Sequence, residues 1–234
     1  QLNLDEDLII SFSGENSQYI RFNNAKIRQT GCIDDANIYL NFIKNNRSCK
    51  TSISFQGKQS IDLNNVLDQV QIMRDEINQL PEDPFIVKPG NYESIVEINK
   101  GMLIDKNNVV DKILPLIQGV DFTGIWASGP IYRGSANSNG QKNWFETESF
   151  SLDYSLITKN EKMVKGTFAG SEWDQENFIK HFEEKKQQSF IMNKTSKNIS
   201  PGTYRTCLAP AAVADLISMF SWGGISEASI QQGS

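Results

Sequence analysis

The histidine and cysteine content is the first limit on the chemistry open to this chain. Its 234 residues include a single histidine, His181, and three cysteines, Cys32, Cys49 and Cys207. One histidine cannot form a two-histidine metal site. A cysteine nucleophile would need His181 as its base, and no spacing places a cysteine near it. We therefore expect His181 to be a solvated residue on a helix and the cysteines to be free thiols without catalytic function.

Two carboxylate pairs are the next candidates for chemistry. Glu146 and Glu148 are two residues apart, a spacing that puts both on one face of a strand, as in a hydrolase dyad. Asp174 and Glu176 have the same spacing. Charged outer faces produce such pairs routinely, so we favour a solvated face. The glycine-containing segment 132–140 lacks the Gly-Lys-Ser/Thr of a phosphate-binding loop, and a β-turn explains it better.

Composition narrows the range of partners. The net charge of −5, from 23 basic and 28 acidic residues, argues against direct binding of nucleic acid. The longest apolar stretch, 207–214, has eight residues and contains Pro210, so it is too short to span a membrane. An odd cysteine count without a CxxC pair, and no apolar signal segment, are typical of a cytoplasmic protein. We expect a cytoplasmic protein.

Hydrophobic periodicity predicts the elements of the first half. Apolar and polar residues alternate through the first 55 residues, which indicates an antiparallel meander, and Asn23-Asn24 marks a tight hairpin between two of its strands. A helix should follow, capped by Asp62 and stopped by Pro81. We expect its apolar residues to face the sheet together: Leu63, Val66, Leu67, Val70, Met73, Ile77 and Leu80.

The second half repeats this order of elements. The segment 121–170 has the strongest alternation in the chain and predicts further strands, preceded by a short helix over 107–118 and followed by a helix over 174–192. These patterns predict an α+β fold with antiparallel or mixed sheets and covering helices. The two similar sheet-plus-helix units would occupy residues 1–100 and 101–200.

Three segments resemble, in the same order, parts of the TldD/PmbA family, whose members are also called modulators of DNA gyrase. Arg21 to Gly31 resembles the family's RFxNN-type hairpin, and Gly134 to Gly140 is similar to its G-x-A-N-x-x-G segment. Pro201 to Ser226 resembles the place where TldD-type peptidases run from a strand into the helix that carries HExxxH.

The resemblance implies that the metal-binding motif is absent. With Gly224 and Ile225 aligned to the family's Gly-Leu, the two histidines of the motif fall on Ser218 and Gly223, and its glutamate falls on Met219. None of these side chains can coordinate zinc or activate a water molecule. The chain therefore resembles the PmbA (TldE) branch, in which HExxxH is lacking.

Membership in that branch would imply a non-catalytic subunit of a TldD-type zinc metalloprotease complex that acts on unstructured peptides. Zinc would reside in the TldD-type partner, with no cofactor in this chain, and the assembly would be a dimer with that partner or with itself. Two alternatives stay open. The metal ligands of a peptidase could lie in a missing C-terminal half, or the protein could be a stand-alone peptide-binding adaptor.

The same resemblance implies a domain division and a peptide site. Residues 1–200 would form the N-terminal α+β domain, and 201–234 the strand and helix that begin an otherwise missing C-terminal domain. Polar side chains could line a groove where an extended peptide pairs with a sheet edge, although turn chemistry and solvated strand ends would also explain them. The candidates are Arg21, Asn23, Asn24, Arg133, Asn137 and Asn143.

Overall fold

The structure, a computed structural model, describes residues 2–233 except for the side chains of Trp222, Ala228 and Gln232. The chain divides into two compact units, one ending at Lys194 and one beginning at Thr195. The elements of the first unit are β1 (Glu6–Asn23), β2 (Lys26–Lys44), β3 (Arg47–Ser54), α1 (Gln59–Glu76), β4 (Val96–Asn99), α2 (Val109–Ile117), β5 (Asp121–Asn137), β6 (Lys142–Ile157), β7 (Met163–Gly170) and α3 (Gln175–Met192).

The seven strands form one mixed sheet in the order β3-β2-β1-β5-β6-β4, with β7 also paired to β6. All pairings are antiparallel except that of β4 with β6, in which Val96 lies opposite Trp144. The long strand β6 is shared: its first half pairs with β4 and its second half, from Phe150, with β7. This confirms the predicted α+β class.

Two similar units are also present, as predicted, within this single sheet. Each is an antiparallel meander followed by a helix, β1-β2-β3-α1 in one and β5-β6-β7-α3 in the other. The antiparallel pairing of β1 with β5 joins them, from Ile9 opposite Asn137 to Phe22 opposite Gly124. The sheet is therefore two meanders joined along their first strands.

The β1–β2 hairpin forms where it was predicted, with a shift of one residue in its turn. Positive φ angles occur at Asn24 (49°) and Ala25 (52°), not at Asn23. Ala25 is 6% exposed and its backbone N–H donates to the carbonyl of Phe122 at 3.0 Å. This contact with the core holds alanine in a conformation that usually costs about 1–2 kcal/mol.

The helix α1 packs through a narrower face than predicted. Val70 and Met73 of α1, and Ile77 directly after it, are buried against the sheet, whereas Leu63 and Leu67 are 54% and 50% exposed. The predicted seven-residue apolar face is therefore wrong at these leucines. Apolar residues surround much of this helix, so their spacing alone could not select the side that meets Leu8, Leu40 and Phe42 of the sheet.

A buried carboxylate fixes the orientation of α1. Glu6 accepts hydrogen bonds from Nε and Nη2 of Arg74 at 2.9 and 2.8 Å, and Nζ of Lys44 lies 3.2 Å away. The side chain of Glu6 is fully buried. These bonds hold the pKa of Glu6 far below its usual range, mainly through Arg74 and against the effect of burial. They tie the helix to β1 and β2.

The predicted cap of α1 is wrong, and an aspartate that was not predicted to cap does so in α3. Asp174 caps α3, since its carboxylate accepts from the backbone N–H groups of Glu176 and Asn177. Asp62 instead lies inside α1, whose N-cap is Lys58. Its buried carboxylate accepts from the N–H groups of Gln56 and Lys58, and therefore stabilises the chain that leads into the helix.

The second unit contains α4 (Pro210–Ser218), a 3₁₀ turn (Met219–Trp222) and α5 (Glu227–Gln232). The segment before α4, where a strand was expected, is irregular in the structure. Its residues have no partner strand among those described, and a strand requires one to satisfy its backbone groups. No helix within the described residues is long and apolar enough to cross a membrane.

Candidate functional site on the helix-free face of the sheet

The helices of the first unit all pack on one face of the sheet. Ile20 of β1 lies opposite Trp126 of β5, which lies opposite Leu152 of β6, and these buried residues contact α2 and α3. Leu8, which packs against α1, is an even number of positions from Ile20 and so shares its face. The other face of the sheet, the helix-free face, carries the intervening residues and meets no helix of this unit.

Polar depressions lie along the helix-free face. A cavity of about 460 Å³ lies near the β1–β2 turn; we call it the cationic cleft. Its lining includes Arg21, Asn23, Arg28, Thr123, Asp153, Ser155 and Lys165. Two further cavities, of about 200 and 340 Å³, meet at Arg133, and together they form the Arg133 groove. This groove is lined by Ser13, Glu15, Asp35, Asn37 and Ile131 on one side and by Ile95, Glu97, Ser135, Asn143 and Phe145 on the other.

The predicted peptide-binding residues separate into two places. Arg21 and Asn23 line the cationic cleft, and Asn24 lies beside them in the β1–β2 turn. Arg133 and Asn143 line the Arg133 groove at the other end of the sheet. The register of the sheet brings Arg21, Asn23 and Asn24 together at one end and Arg133 with Asn143 at the other. It does not place all the candidates in one site.

Asn137 and Asn143 are engaged in holding the connector before β4. The side-chain amide of Asn137 donates to the carbonyl of Gly90 at 3.0 Å. Oδ1 of Asn143 accepts from the N–H of Ile95 at 3.0 Å, and its Nδ2 donates to Ser135 Oγ at 3.2 Å. These bonds position the segment that forms one wall of the groove.

Arg133 lies in both cavities of the groove, and within residues 2–233 most of its donors have no partner beyond two backbone carbonyls. Its Nη1 donates to the carbonyl of Tyr132 at 2.7 Å and to that of Gly14 at 3.4 Å. The residue is exposed, and Glu15 and Asp35 line the same depression. A guanidinium has five N–H donors, so others can reach the backbone carbonyls of an extended chain.

The carboxylate pair on β6 has a structural role. Nζ of Lys100 lies 2.6 Å from Glu146 Oε1 and 3.4 Å from Glu148 Oε1. Glu148 also accepts from the N–H of Gly101 at 3.0 Å. The two glutamates therefore fasten the chain that follows β4, and no open dyad remains.

His181 is half-buried, so the predicted solvated histidine is wrong. Its ring packs against Tyr154 and Phe168, with centroid distances of 6.2 and 5.5 Å. Burial, with a smaller contribution from Lys185, lowers its pKa. Its Nε2 and Tyr154 Oη are both buried without a hydrogen-bond partner among the described residues. The charged neighbours of His181 in the sequence suggested a solvated position, but β7 covers the ring through Phe168.

The three motif positions lie at the end of α4 and beyond it. Ser218 is the last residue of α4, Met219 begins the 3₁₀ turn, and Gly223 follows that turn with a φ of 120°. The positions therefore do not share one continuous α-helix. Within residues 2–233, no group of three or more His, Cys, Asp and Glu side chains is placed to hold a metal ion.

One surface was missed by the sequence analysis. On the helix side of the sheet, Phe12 stacks on Trp144 at 5.6 Å and meets Phe55 edge-on at 5.2 Å. With Ile10 and Val96 they line a nearly apolar cavity of about 490 Å³. Alternation along single strands cannot show that α1 and α2 leave these positions uncovered.

Comparison with known proteins gives one kind of match. No family model and no curated protein matches the sequence. Solved structures do match: TldE from Thermococcus kodakarensis with a TM-score of 0.57 at 14% identity, over 79% of this chain and 44% of that one. Two proteins named as modulators of DNA gyrase also match, from Thermotoga maritima (TM-score 0.53, 12% identity, 77% and 44% covered) and Bacteroides thetaiotaomicron (0.51, 11%, 76% and 44%).

These matches define the class of fold. The chain has the fold of the TldD/PmbA proteins, which confirms at the level of the fold the resemblance found in the sequence. The likeness includes a TldE structure. The chain spans less than half the length of each of these structures.

Proposed function

We propose that this chain is part of a PmbA/TldE-like, non-catalytic subunit of a TldD-type zinc metalloprotease complex that acts on unstructured peptides. The observation that carries the proposal is the combination of a fold shared with a TldE structure and the residues Ser218, Met219 and Gly223 at the motif positions. Zinc would be held by the TldD-type partner. The three free thiols, Cys32, Cys49 and Cys207, are in keeping with a cytoplasmic location.

Within such a complex, the helix-free face would contribute a wall of the peptide chamber. The Arg133 groove ends at β4, whose four residues are all exposed and which pairs on one side only, with β6. An extended peptide could add to the outer edge of β4 through backbone hydrogen bonds. Alternate side chains of such a peptide would then enter the groove beside Glu97 and Arg133.

Co-expression with a relative that carries HExxxH tests this function. We expect the two proteins to co-purify and the pair to cleave an unstructured peptide faster than the relative alone. Arg133→Ala should reduce the gain in cleavage while leaving co-purification intact, and the exposed Lys26→Ala is the matched control. Cleavage by this protein alone, with stoichiometric zinc, would refute the proposal.

A further inference from the structure

The cationic cleft collects positive charge in an acidic protein. Arg21 of β1, Arg28 of β2 and Lys165 of β7 line it, and among the described residues Asp153 supplies its only carboxylate. Asp153 is already bound, with Lys165 Nζ at 3.3 Å and the hydroxyl of Thr167 at 2.7 Å. The two arginines therefore supply the cleft with positive charge that its own carboxylate does not balance.

Neither arginine has an acidic partner. Of the ion pairs within residues 2–233, none includes Arg21 or Arg28. Arg21 Nη1 donates only a long hydrogen bond, 3.4 Å, to Oε1 of Gln29. The two residues lie on adjacent strands, which run about 4.8 Å apart, so both guanidiniums can reach one small anion.

A β-bulge puts Arg28 on the side of the cleft. Arg21 lies opposite Gln29, but Phe22 lies opposite Ile27, so Arg28 is an extra residue with no partner in β1. Strict alternation would direct the side chains of Arg28 and Gln29 to opposite faces. The bulge interrupts the alternation and lets Arg28 line the cleft beside Arg21.

Gln29, the hydrogen-bond partner of Arg21, is itself held by Tyr19. Gln29 accepts from Arg21 and donates through Nε2 to Tyr19 Oη at 2.8 Å. The ring of Tyr19 lies directly over Gly31, where a Cβ atom would be 2.6 Å from Cε1 of the tyrosine. This arrangement fixes Gln29 beside Arg21, while the long 3.4 Å bond leaves the guanidinium able to meet a ligand.

We propose that the cationic cleft binds a carboxylate of an extended peptide, through Arg21 and Arg28. A pair of planar guanidiniums matches the two oxygens of a carboxylate. The hydroxyls of Thr123 and Ser155 line the same cavity and offer further donors. The inference rests on the proposed function in taking the ligand to be a peptide. The carboxylate could belong to an acidic side chain or to the chain terminus.

The test measures the affinity of the 234-residue chain for three labelled peptides by fluorescence anisotropy. One is Gly/Ser-rich with a central Glu and an amidated C-terminus, the second replaces Glu with Gln, and the third is the Gln peptide with a free C-terminus. We expect the Glu peptide, the free-terminus peptide or both to bind about five- to tenfold more tightly than the amidated Gln peptide. Whichever gains affinity identifies the source of the carboxylate.

Variants of the cleft decide whether it is the site. Arg21→Gln and Arg28→Gln should each remove the preference for the carboxylate, whereas Lys26→Gln should keep it, because Lys26 is on the same hairpin but does not line the cleft. Unchanged thermal unfolding of each variant would show that it is folded.

Equal affinities for all three peptides would overturn the inference. A Lys26→Gln variant that loses the preference for the carboxylate as fully as the arginine variants do would also overturn it, because such a loss indicates general charge attraction. Competition by inorganic phosphate at concentrations below those of either carboxylate peptide would also overturn it. If the co-expressed pair is active and the peptide preference is absent, only this inference fails. If the preference is present but co-expression with an HExxxH relative gives neither co-purification nor faster cleavage, the proposed function fails instead.

Discussion

Single buried polar residues in this protein connect the sheet to its helices, and their titration governs how stability should depend on pH. Glu6 fixes α1 to β1 and β2 through Arg74 and Lys44. His181 of α3 packs against β6 and β7, and its pKa is lowered. In both residues the folded chain holds a proton less readily than the unfolded chain does. Stability should therefore rise with pH wherever either group titrates.

Replacing Glu6 with Gln should lower the free energy of unfolding by about 2–4 kcal/mol at pH 7, because it removes the buried negative charge that Arg74 and Lys44 contact. Urea denaturation measures the loss. Glu82→Gln is the matched control, because Glu82 pairs with Arg47 at 2.8 Å but its side chain is 61% exposed. Its loss should stay below about 1 kcal/mol, and similar losses in both variants would contradict the special role of Glu6.

The pH dependence of stability should have two distinguishable parts. Below about pH 6.5 the unfolded chain protonates His181 while the folded chain resists protonation, so the melting temperature should fall as the pH drops. Below about pH 5 the carboxyl of Glu6 should add a second fall for the same reason. Lys185 and Glu184, on the same helix, have opposing effects on the His181 pKa.

Melting curves from pH 8 to pH 4 check this expectation. His181→Leu should remove the dependence between about pH 7 and pH 5, and Glu6→Gln should remove the part below about pH 5. A wild-type melting temperature that stays constant from pH 7 to pH 5 would rule out the buried, neutral histidine.

At the scale of the elements, the sheet selects which face of each element becomes buried. On β6, the two-residue period gives Leu152 and Tyr154 to the core, and both are at most 2% exposed. On α1, by contrast, apolar residues occur on more than one side. The sheet buries only the side that meets Leu8, Leu40 and Phe42.

Two leucines test this difference. Leu152→Ala should lower the free energy of unfolding by about 2–5 kcal/mol, because Leu152 is fully buried in the larger core cluster. Leu67→Ala should change it by less than about 1 kcal/mol, because Leu67 is half exposed on α1. Chemical denaturation of the pair checks the assignment. If Leu67→Ala lowers the free energy of unfolding as much as Leu152→Ala does, the apolar face of α1 predicted from the periodicity is correct at Leu67.

The sequence could predict elements whose own residue pattern selects the buried face, but not features that depend on pairing within the sheet. Hydrophobic periodicity and turn residues were enough for the long strands, for α3 and for the two similar halves. They could not find β4, because a four-residue strand in a proline-containing connector is defined only by its pairing with β6. They also could not group the site residues. The register of β1 with β2 and β5 places Arg21 and Arg133 in different cavities, and local sequence does not encode that register.

For the molecule as a whole, the β1–β5 pairing is the contact that unites the two halves of the sheet. At Gly129, which is buried with a φ of 150°, β5 lies close against β1. A Cβ atom there would lie 2.3 Å from the carbonyl oxygen of Asn16 in β1. Only glycine permits this approach without displacing the backbone of the neighbouring strand.

Gly129→Ala should therefore lower the free energy of unfolding by more than about 2 kcal/mol, through steric overlap together with the unfavourable φ. Gly140→Ala is the control. It has a φ of 97° in an open turn with no atom within 4 Å of a Cβ, so only the conformational cost of about 1 kcal/mol should appear. Equal losses in the two variants would show that the close approach at Gly129 does not limit the joining of the halves.

The same pairing should set the order of folding. Each meander closes through short connections, such as the two residues between β1 and β2, whereas the β1–β5 ladder joins Glu15 to Ile131 across more than a hundred residues. Closing so large a loop is slow compared with forming local hairpins. The two meanders should therefore form first and independently, and the late, rate-limiting event should be the zipping of β1 onto β5. Until that event, each half exposes a long unpaired edge that can capture the matching half of another molecule, so rapid refolding at high concentration should favour exchanged dimers.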